Sequence, residues 1–311
     1  MTGEQIASHL NYWNENYQVI ADHNLDEKSF LGRKEMICRF CNKSSPEVTF
    51  HNLAHAIPEC LDNNKLFSHY ECDKCNHEFG NTLEDHFSKY LFPFRVASCI
   101  LGKKGRISYK LDDNNRIDVT EGKWDILESK KESIVKEIDE HTLQFNFVRQ
   151  TYKPIMVYKT LVKMAISILP ENELSFFQKT IDWLKKDDKA IEDYFGQFII
   201  FRFYAGLSKF PFIKTTLFKK KREDLEIPYS QMLLAFSNYS FQFIVPCFER
   251  DKILNGKTIN FRGIPTPFDL KSEPEIRIGS GLINLLSSEY KINEVVPIDM
   301  YFESKSMRIE T

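Results

Sequence analysis

Two Cys-x-x-Cys pairs constrain this 311-residue chain more than any other feature of its sequence. The first pair is Cys38 and Cys41, and the second is Cys72 and Cys75. Each pair places two thiols on one tight turn, and two such turns about thirty residues apart can close a tetrahedral zinc site. Zinc with four thiolates has no open position, so we expect a structural ion. Four unligated thiols are the alternative.

The other three cysteines are scattered, which is typical of small buried hydrophobic side chains: Cys60, Cys99 and Cys247. In a reducing compartment, paired Cys-x-x-Cys motifs indicate zinc rather than disulfides. The chain starts with polar residues and lacks the apolar run of a signal peptide. No stretch approaches the roughly 18 apolar residues of a membrane span. These features favour a cytoplasmic protein.

Composition indicates a globular chain, because 42% of the residues are hydrophobic and 28% are charged. The formal net charge is −2, so composition gives no bulk attraction to nucleic acid. Contact with nucleic acid would therefore need local basic patches. The two candidate runs are Lys103-Lys104-Gly105-Arg106 and residues 219–222, and an ordinary solvated surface run is the alternative for each.

Hydrophobic periodicity predicts an α+β chain made of four consecutive segments. Residues 1–34 are predicted to form a helical arm, and residues 35–110 hold the cysteine pairs. Residues 111–150 are predicted to be a strand-rich connection, and residues 151–311 a mixed α+β domain.

Finer patterns predict individual elements inside these segments. We expect strands at 48–50, 55–57 and 67–71, and a helix over 82–90 that Pro93 ends. Alternation predicts a hairpin from 107–111 and 116–119, and a strand at 143–147. Helices are expected over 155–169 and 171–185, followed by a sheet from 195–203, 214–220 and 232–245.

Five of the eight histidines fall between residues 51 and 86: His51, His55, His69, His77 and His86. Taken singly, each is expected to be a surface or structural group. Clustering beside a zinc fold makes two further roles worth considering. A neutral imidazole can act as a general base near neutral pH or bind a divalent ion.

Together these motifs resemble the HNH endonuclease family, of the ββα-metal type with a zinc knuckle. The motifs are the first cysteine pair, the run Ala54-His55-Ala56-Ile57-Pro58-Glu59, and residues 71–80 (Glu-Cys-Asp-Lys-Cys-Asn-His-Glu-Phe-Gly). The resemblance covers about residues 36 to 110. It implies a small zinc-stapled nuclease domain over 35–110, followed by an additional α+β domain.

The resemblance also implies a mechanism and a substrate. His55 would be the general base that takes a proton from water, and one Mg²⁺ or Mn²⁺ would stabilise charge on the phosphate and the leaving oxygen. Asn76 matches the last position of the family motif and would be a metal ligand or its support. The implied substrate is DNA, expected to be double-stranded, with Lys103, Lys104 and Arg106 as candidate contacts.

One departure from the family pattern concerns the metal ligands. Many members carry an acidic residue before the catalytic histidine, where this chain has Ala54. Glu84 and His77 are candidate replacements in the metal shell, and His86 is a weaker one. Asn63 matches a family turn and is a further candidate, although a loop-forming asparagine is the alternative.

Two classes of function remain open from the sequence. One is a metal-dependent nuclease, and the other is a non-catalytic zinc module that binds nucleic acid or a protein. The run His55-Ala56-Ile57-Pro58 favours the nuclease, because a bare zinc knuckle does not need it. The C-terminal domain could sense a ligand, form a homo-oligomer or dock an activating partner. A regulated role in bacterial anti-phage defence or in a mobile element is the hypothesis that follows from the resemblance.

Overall fold

A computed structural model describes residues 2–33, 37–100, 107–120, 123–128, 134–186, 198–205, 209–270 and 277–302. The fold is mixed α+β, as predicted. The α-helices are α1 (Gly3–Asn16), α2 (Asp73–Phe79), α3 (Asp85–Ala97), α4 (Pro154–Ile168), α5 (Gln178–Lys185) and α6 (Pro267–Leu270). The β-strands are β1 (Tyr17–Asn24), β2 (Ser29–Leu31), β3 (Ala54–His55), β4 (Leu66–Ser68), β5 (Ile107–Lys110), β6 (Arg116–Thr120), β7 (Lys123–Leu127), β8 (Val135–Asp139), β9 (Thr142–Val148), β10 (Ile199–Ala205), β11 (Phe210–Lys220), β12 (Ser230–Ser237), β13 (Tyr239–Val245), β14 (Arg277–Ile283) and β15 (Val295–Tyr301).

The chain forms two compact units that interleave along the sequence. The first contains Met1–Asp85 and Lys153–Glu289, and the second contains His86–Tyr152 and Tyr290–Thr311. This division differs from the four consecutive segments expected from the sequence. The reason is long-range strand pairing, since β1 pairs with β11 and β15 pairs with β9. Hydrophobic periodicity reports the type of an element and not its partner.

The first unit contains a six-stranded antiparallel sheet in the order β1-β11-β12-β13-β10-β14. The prediction that residues 1–34 form a helical arm is therefore correct only for α1. A capping box between Thr2 and Gln5 begins this helix, and β1 continues the chain into the sheet. The Trp13 and Tyr17 rings lie 4.5 Å apart and pack with Leu233.

Helix α4 is the buried helix of the first unit. All of its residues except Met156 are buried, including Lys159 and Lys163. Pro154 begins the helix and Leu169 follows its last turn, close to the predicted limits. The helix expected over 171–185 forms as a 3-10 segment, Glu171–Phe177, followed by α5.

The cysteine-containing segment departs from prediction at two places. Residues 48–50 form no strand, because the Asp73 carboxylate binds this loop by accepting hydrogen bonds from Thr49 Oγ1 and from the amides of His51 and Asn52. Pro93 does not end the helix and instead lies buried inside α3. Packing of the ring offsets the backbone hydrogen bond that proline cannot make.

A small three-stranded sheet precedes α2, in the order β2-β4-β3. Strand β2 runs parallel to β4, and β3 runs antiparallel to it. The returning strand is β4, which ends before the predicted limit of residue 71. Gly32 follows β2 with a φ of +83°, and a side chain there would meet the Tyr70 ring at 2.6 Å.

The second unit contains two three-stranded antiparallel sheets, β5-β6-β7 and β15-β9-β8. The predicted hairpin is confirmed as β5 and β6. The core of the second unit is a cluster of buried apolar residues: Val96, Ile107, Tyr109, Ile117, Val119, Ile134, Phe145, Phe147 and Ile298. None of the helices described is long and apolar enough to cross a bilayer.

Candidate functional site

The four thiols predicted to bind zinc lie together. The Sγ atoms of Cys38, Cys41, Cys72 and Cys75 are all within 4.8 Å of one another. The Cys41 and Cys72 sulfurs are 3.8 Å apart. Zn–S bonds of about 2.3 Å in tetrahedral geometry give S–S separations of about 3.8 Å. The cluster therefore has dimensions that fit one zinc ion.

The backbone around the thiols fixes their positions. Cys72 is the N-cap of α2, and its Sγ accepts a hydrogen bond from the Cys75 amide at 3.5 Å. On the other turn, the Asn42 amide donates to the Cys38 carbonyl at 2.7 Å, and Asn42 has a φ of 55°. A hydrogen bond from the Cys75 thiol lowers the pKa of Cys38 to about 4 and raises the pKa of Cys75, so the pair favours one thiolate, on Cys38.

The predicted general base lies on the hairpin that these turns support. His55 is in β3, opposite Phe67 of β4, and the two ring centroids are 4.9 Å apart. The side chain is half-buried. Its position on a short strand between the two cysteine pairs is the placement that the sequence predicts.

Asn63 joins the two strands of this hairpin. Its Nδ2 donates to the carbonyls of Ile57 at 2.5 Å and Leu66 at 3.1 Å. Its Oδ1 accepts from the amides of Lys65 at 3.0 Å and Leu66 at 2.9 Å. These four bonds use the full hydrogen-bonding capacity of the amide group. The geometry gives Asn63 a loop-forming position and offers no support for a place in a metal shell.

A buried lysine that the sequence analysis did not single out lies behind His55. The Lys163 Nζ of α4 is 3.1 Å from Glu84 Oε1 and 3.0 Å from Glu71 Oε2. It also donates to the His55 carbonyl at 3.4 Å. The signal in the sequence was a pair of lysines, Lys159 and Lys163, within a mostly apolar helix.

Burial sets the electrostatics of this group. The Lys163 and Glu71 side chains are fully buried, and that of Glu84 is 23% exposed. Burial raises the pKa of Glu71 to about 7, against the pull of the Lys163 ammonium. For Lys163, burial lowers the pKa, but the carboxylates of Glu71 and Glu84 outweigh it and raise the pKa above its usual value. The ammonium is therefore charged at neutral pH.

Glu71 is the second carboxylate beside Lys163, and unlike Glu84 it was not a candidate from the sequence. Its Oε2 faces Lys163, whereas its Oε1 is buried without a hydrogen-bond partner among the described residues. Glu71 also borders a cleft of about 230 Å³ beside His51 and His69. A buried carboxylate oxygen of this kind requires a partner such as water or a cation.

Glu84 reaches Lys163 from a π-helical turn, Gly80–Glu84, between α2 and α3. Turns of this type widen the helix and are frequent at functional sites. The Leu83 carbonyl accepts a hydrogen bond from Thr160 Oγ1 of α4 at 2.7 Å. Helix α4 thus contacts both the turn that carries Glu84 and the strand that carries His55.

The other predicted site residues lie in different surroundings. Asn76 is half-buried on α2, one residue after Cys75. His77 is exposed, with its Nε2 3.0 Å from the Asn81 amide nitrogen. His86 belongs to the second unit, where its ring contacts Tyr290.

The two basic runs differ in what the structure describes. Lys103, Lys104 and Arg106 lie outside the described residues. In the run 219–222, Lys220 is buried, and Lys219 forms an ion pair with Glu173 at 2.6 Å. These internal contacts make Lys219 and Lys220 part of the fold, whereas Lys221 and Arg222 are exposed.

Residues 38–92 match the sequence model of the HNH endonuclease family. No curated protein and no solved structure matches the chain. The matched segment is a nuclease-type domain that contains the four-cysteine metal site, together with His55, Asn76 and Glu84. The region C-terminal to it, including α4, is additional to the family model.

Proposed function

We propose that this chain is a metal-dependent endonuclease that hydrolyses phosphodiester bonds in DNA. The observation that carries the proposal is that the matched segment, residues 38–92, contains both the cluster of four thiols and His55 on β3. A family match supports the nuclease class, and the hairpin supports His55 as the reacting side chain.

In the proposed reaction, the His55 imidazole accepts a proton from a water molecule. The resulting hydroxide attacks the phosphorus, and the bond from phosphorus to the 3′ oxygen breaks. Lys163 holds β3 in place through the His55 carbonyl, so it is a positioning residue. A divalent ion, when bound, supplies charge stabilisation on the phosphate and on the leaving oxygen.

The residues available for that ion are few. Within the described ranges, no group of three or more His, Cys, Asp or Glu donors exists apart from the four thiols. Mg²⁺ is often held by one or two carboxylates, with waters and substrate phosphates completing its shell. Glu84 and Asn76 are the proposed oxygen donors, and Glu71, with its unpartnered Oε1, is a further candidate for the acid absent at Ala54.

Nicking of supercoiled plasmid DNA by the purified full-length chain tests this function. We expect nicking with Mg²⁺ or Mn²⁺ and none when both are omitted. The competing assignment is a non-catalytic zinc module that binds nucleic acid or a protein. Retained DNA binding without cleavage in either metal would support that module and exclude the nuclease.

We also propose that residues beyond the matched segment control the site through α4. The support is that α4 contacts the Glu84 turn through Thr160 and both Glu84 and the His55 strand through Lys163. Helix α4 gives a ligand or partner of the C-terminal region a direct route to the site.

A regulated nuclease of this kind suits anti-phage defence. Plaque counts on cells that express either the parent chain or His55→Ala test that role.

A further inference from the structure

The solvent side of the small three-stranded sheet carries a row of rings next to His55. In β4, Leu66 and Ser68 are buried, whereas Phe67 and the following His69 are half-exposed. Strand pairing places Phe30 of β2 and His55 of β3 on either side of Phe67. We call these four residues, His55, Phe67, Phe30 and His69, the aromatic row.

Ring contacts make the row continuous. The Phe67 centroid is 4.9 Å from that of His55 and 5.7 Å from that of Phe30. The Phe30 and His69 centroids are 5.4 Å apart, with ring planes within 9° of parallel. These distances are those of rings that interact favourably with one another.

The row is open and carries a positive charge. Phe30 is 47% exposed, although burial of a phenylalanine is strongly favourable. The Lys28 Nζ lies 5.5 Å from the Phe30 centroid and 5.3 Å from the Phe67 centroid. Aromatic rings with an adjacent cation form the combination that proteins use to hold single-stranded nucleic acid.

We propose that the aromatic row binds unpaired bases of the DNA strand that is presented to His55. The bases would stack on Phe30 and Phe67, and Lys28 would contact the backbone phosphates. The inference rests on the proposed function, because it places the substrate relative to the proposed base. It names single-stranded or locally melted DNA as the substrate class.

Continuity with His55 and the charge of Lys28 favour this occupant over a protein surface. In an intact duplex, each base is stacked on the adjacent bases and has no free face for a protein ring. Intact duplex therefore cannot stack on the row. Phe30 and Lys28 lie outside the matched residues 38–92, whereas Phe67 and His69 lie within them. The row is therefore assembled by the addition of β2 to the nuclease-type hairpin.

Fluorescence anisotropy with the full-length chain tests the row. The probes are a labelled oligothymidine, the same strand with abasic positions, and a duplex of equal length, all without added divalent ion. We expect the base-bearing single strand to bind more tightly than either of the others. Phe30→Ala should weaken the binding of the base-bearing single strand by about tenfold, because one stacked ring contributes to affinity on that scale.

Two further variants separate stacking from folding. Phe30→Trp keeps a stacking face and should retain the affinity of the parent. Tyr301→Ala removes a ring outside the row that is 73% exposed, and it should bind the single strand with the affinity of the parent. Zinc content confirms that each variant is folded.

Equal binding of the abasic and base-bearing strands would overturn the proposal, as would parent-like affinity in Phe30→Ala. A change of oligomeric state in Phe30→Ala, with DNA binding intact, would assign the row to a protein contact and also overturn it. The assay requires no cleavage, so base-dependent binding without nuclease activity would leave the row standing while the proposed function fails. Cleavage of duplex DNA at the parent rate by Phe30→Ala would support the proposed nuclease function and overturn the role of the aromatic row.

Discussion

At the scale of single residues, one buried lysine determines the surroundings of His55. The Lys163 ammonium binds Glu71, Glu84 and the His55 carbonyl. The Lys163 ammonium and the Glu71 carboxyl group are removed from water here, and Glu84 is largely so, which costs free energy unless the charges pair closely. Loss of the ammonium would leave two acidic groups without their counter-charge beside the site.

Lys163→Met should therefore lower both stability and cleavage. Breaking a buried ion pair from one side costs roughly 3–5 kcal/mol. Urea unfolding measures the stability, and the plasmid-nicking rate of the folded fraction measures the effect on β3. Lys159→Met is the matched control, because Lys159 is equally buried on α4 but donates to the carbonyls of Trp183 and Lys186. Parent-like nicking by Lys163→Met would show that the ammonium does not position the site.

Asn63 offers a second residue-scale prediction. Asn63→Ala removes four hydrogen bonds to the main chain of the β3–β4 loop, and two of these bonds are made by the buried Ile57 carbonyl and the buried Leu66 amide. We expect a loss of about 2 kcal/mol or more in unfolding free energy. Asn64→Ala, next to it and exposed, should lose almost nothing. Equal stability of the two variants in urea unfolding would contradict the loop-forming role.

At the scale of elements, two cysteine turns and a hairpin form one substructure that a bound zinc ion would stabilise. Removal of one thiol opens the site, and the other three cannot satisfy the tetrahedral preference of zinc. Because binding of a structural zinc contributes directly to folding, we expect the hairpin to depend on the cluster.

Cys72→Ser should reduce bound zinc from one ion per chain to well below one, and it should lower the thermal midpoint. Elemental analysis and thermal unfolding measure the two effects. Cys60→Ser is the control, since Cys60 lies in the same segment but outside the cluster. A parent-like zinc content in Cys72→Ser, or an equal loss in Cys60→Ser, would rule out the assigned ligands.

The elements that sequence predicted well are those with a local signal. The cysteine pairs, the β5–β6 hairpin and α4 each follow from spacing or periodicity within a short window. Residues 48–50 were predicted wrongly, because Asp73 binds them as a loop through contacts that no local pattern shows. Pro93 was misread as a helix end, since packing of α3 outweighs the local penalty.

At the scale of the whole molecule, the nuclease-type segment depends on residues far along the chain. Arg39, between the first two cysteines, donates to the carbonyls of Ser167 and Leu169 near the end of α4. Thr160 and Lys163 contact the same segment from the middle of that helix. Local patterns cannot reveal such contacts, so the sequence identified the cysteines and His55 but not Lys163 or Glu71.

Residues 35–110 should therefore fail to fold as a separate domain. Without α4, the fragment would expose the apolar residues that the helix covers, and Arg39 and Glu84 would lose the partners that this region provides. Circular dichroism and zinc content of the fragment, compared with those of the full chain, test this dependence. A folded fragment with one zinc ion would contradict it.

The central claim is that His55 acts as the general base of a nuclease. Its most direct test is the single-turnover cleavage rate of His55→Ala with Mg²⁺, alongside zinc content and thermal unfolding. We expect the rate to fall by at least about 100-fold, in line with the loss of a general base. Zinc and fold should be retained, and His141→Ala, at an exposed histidine of the second unit, should cut at the parent rate. Cleavage by folded His55→Ala at the parent rate would contradict the account.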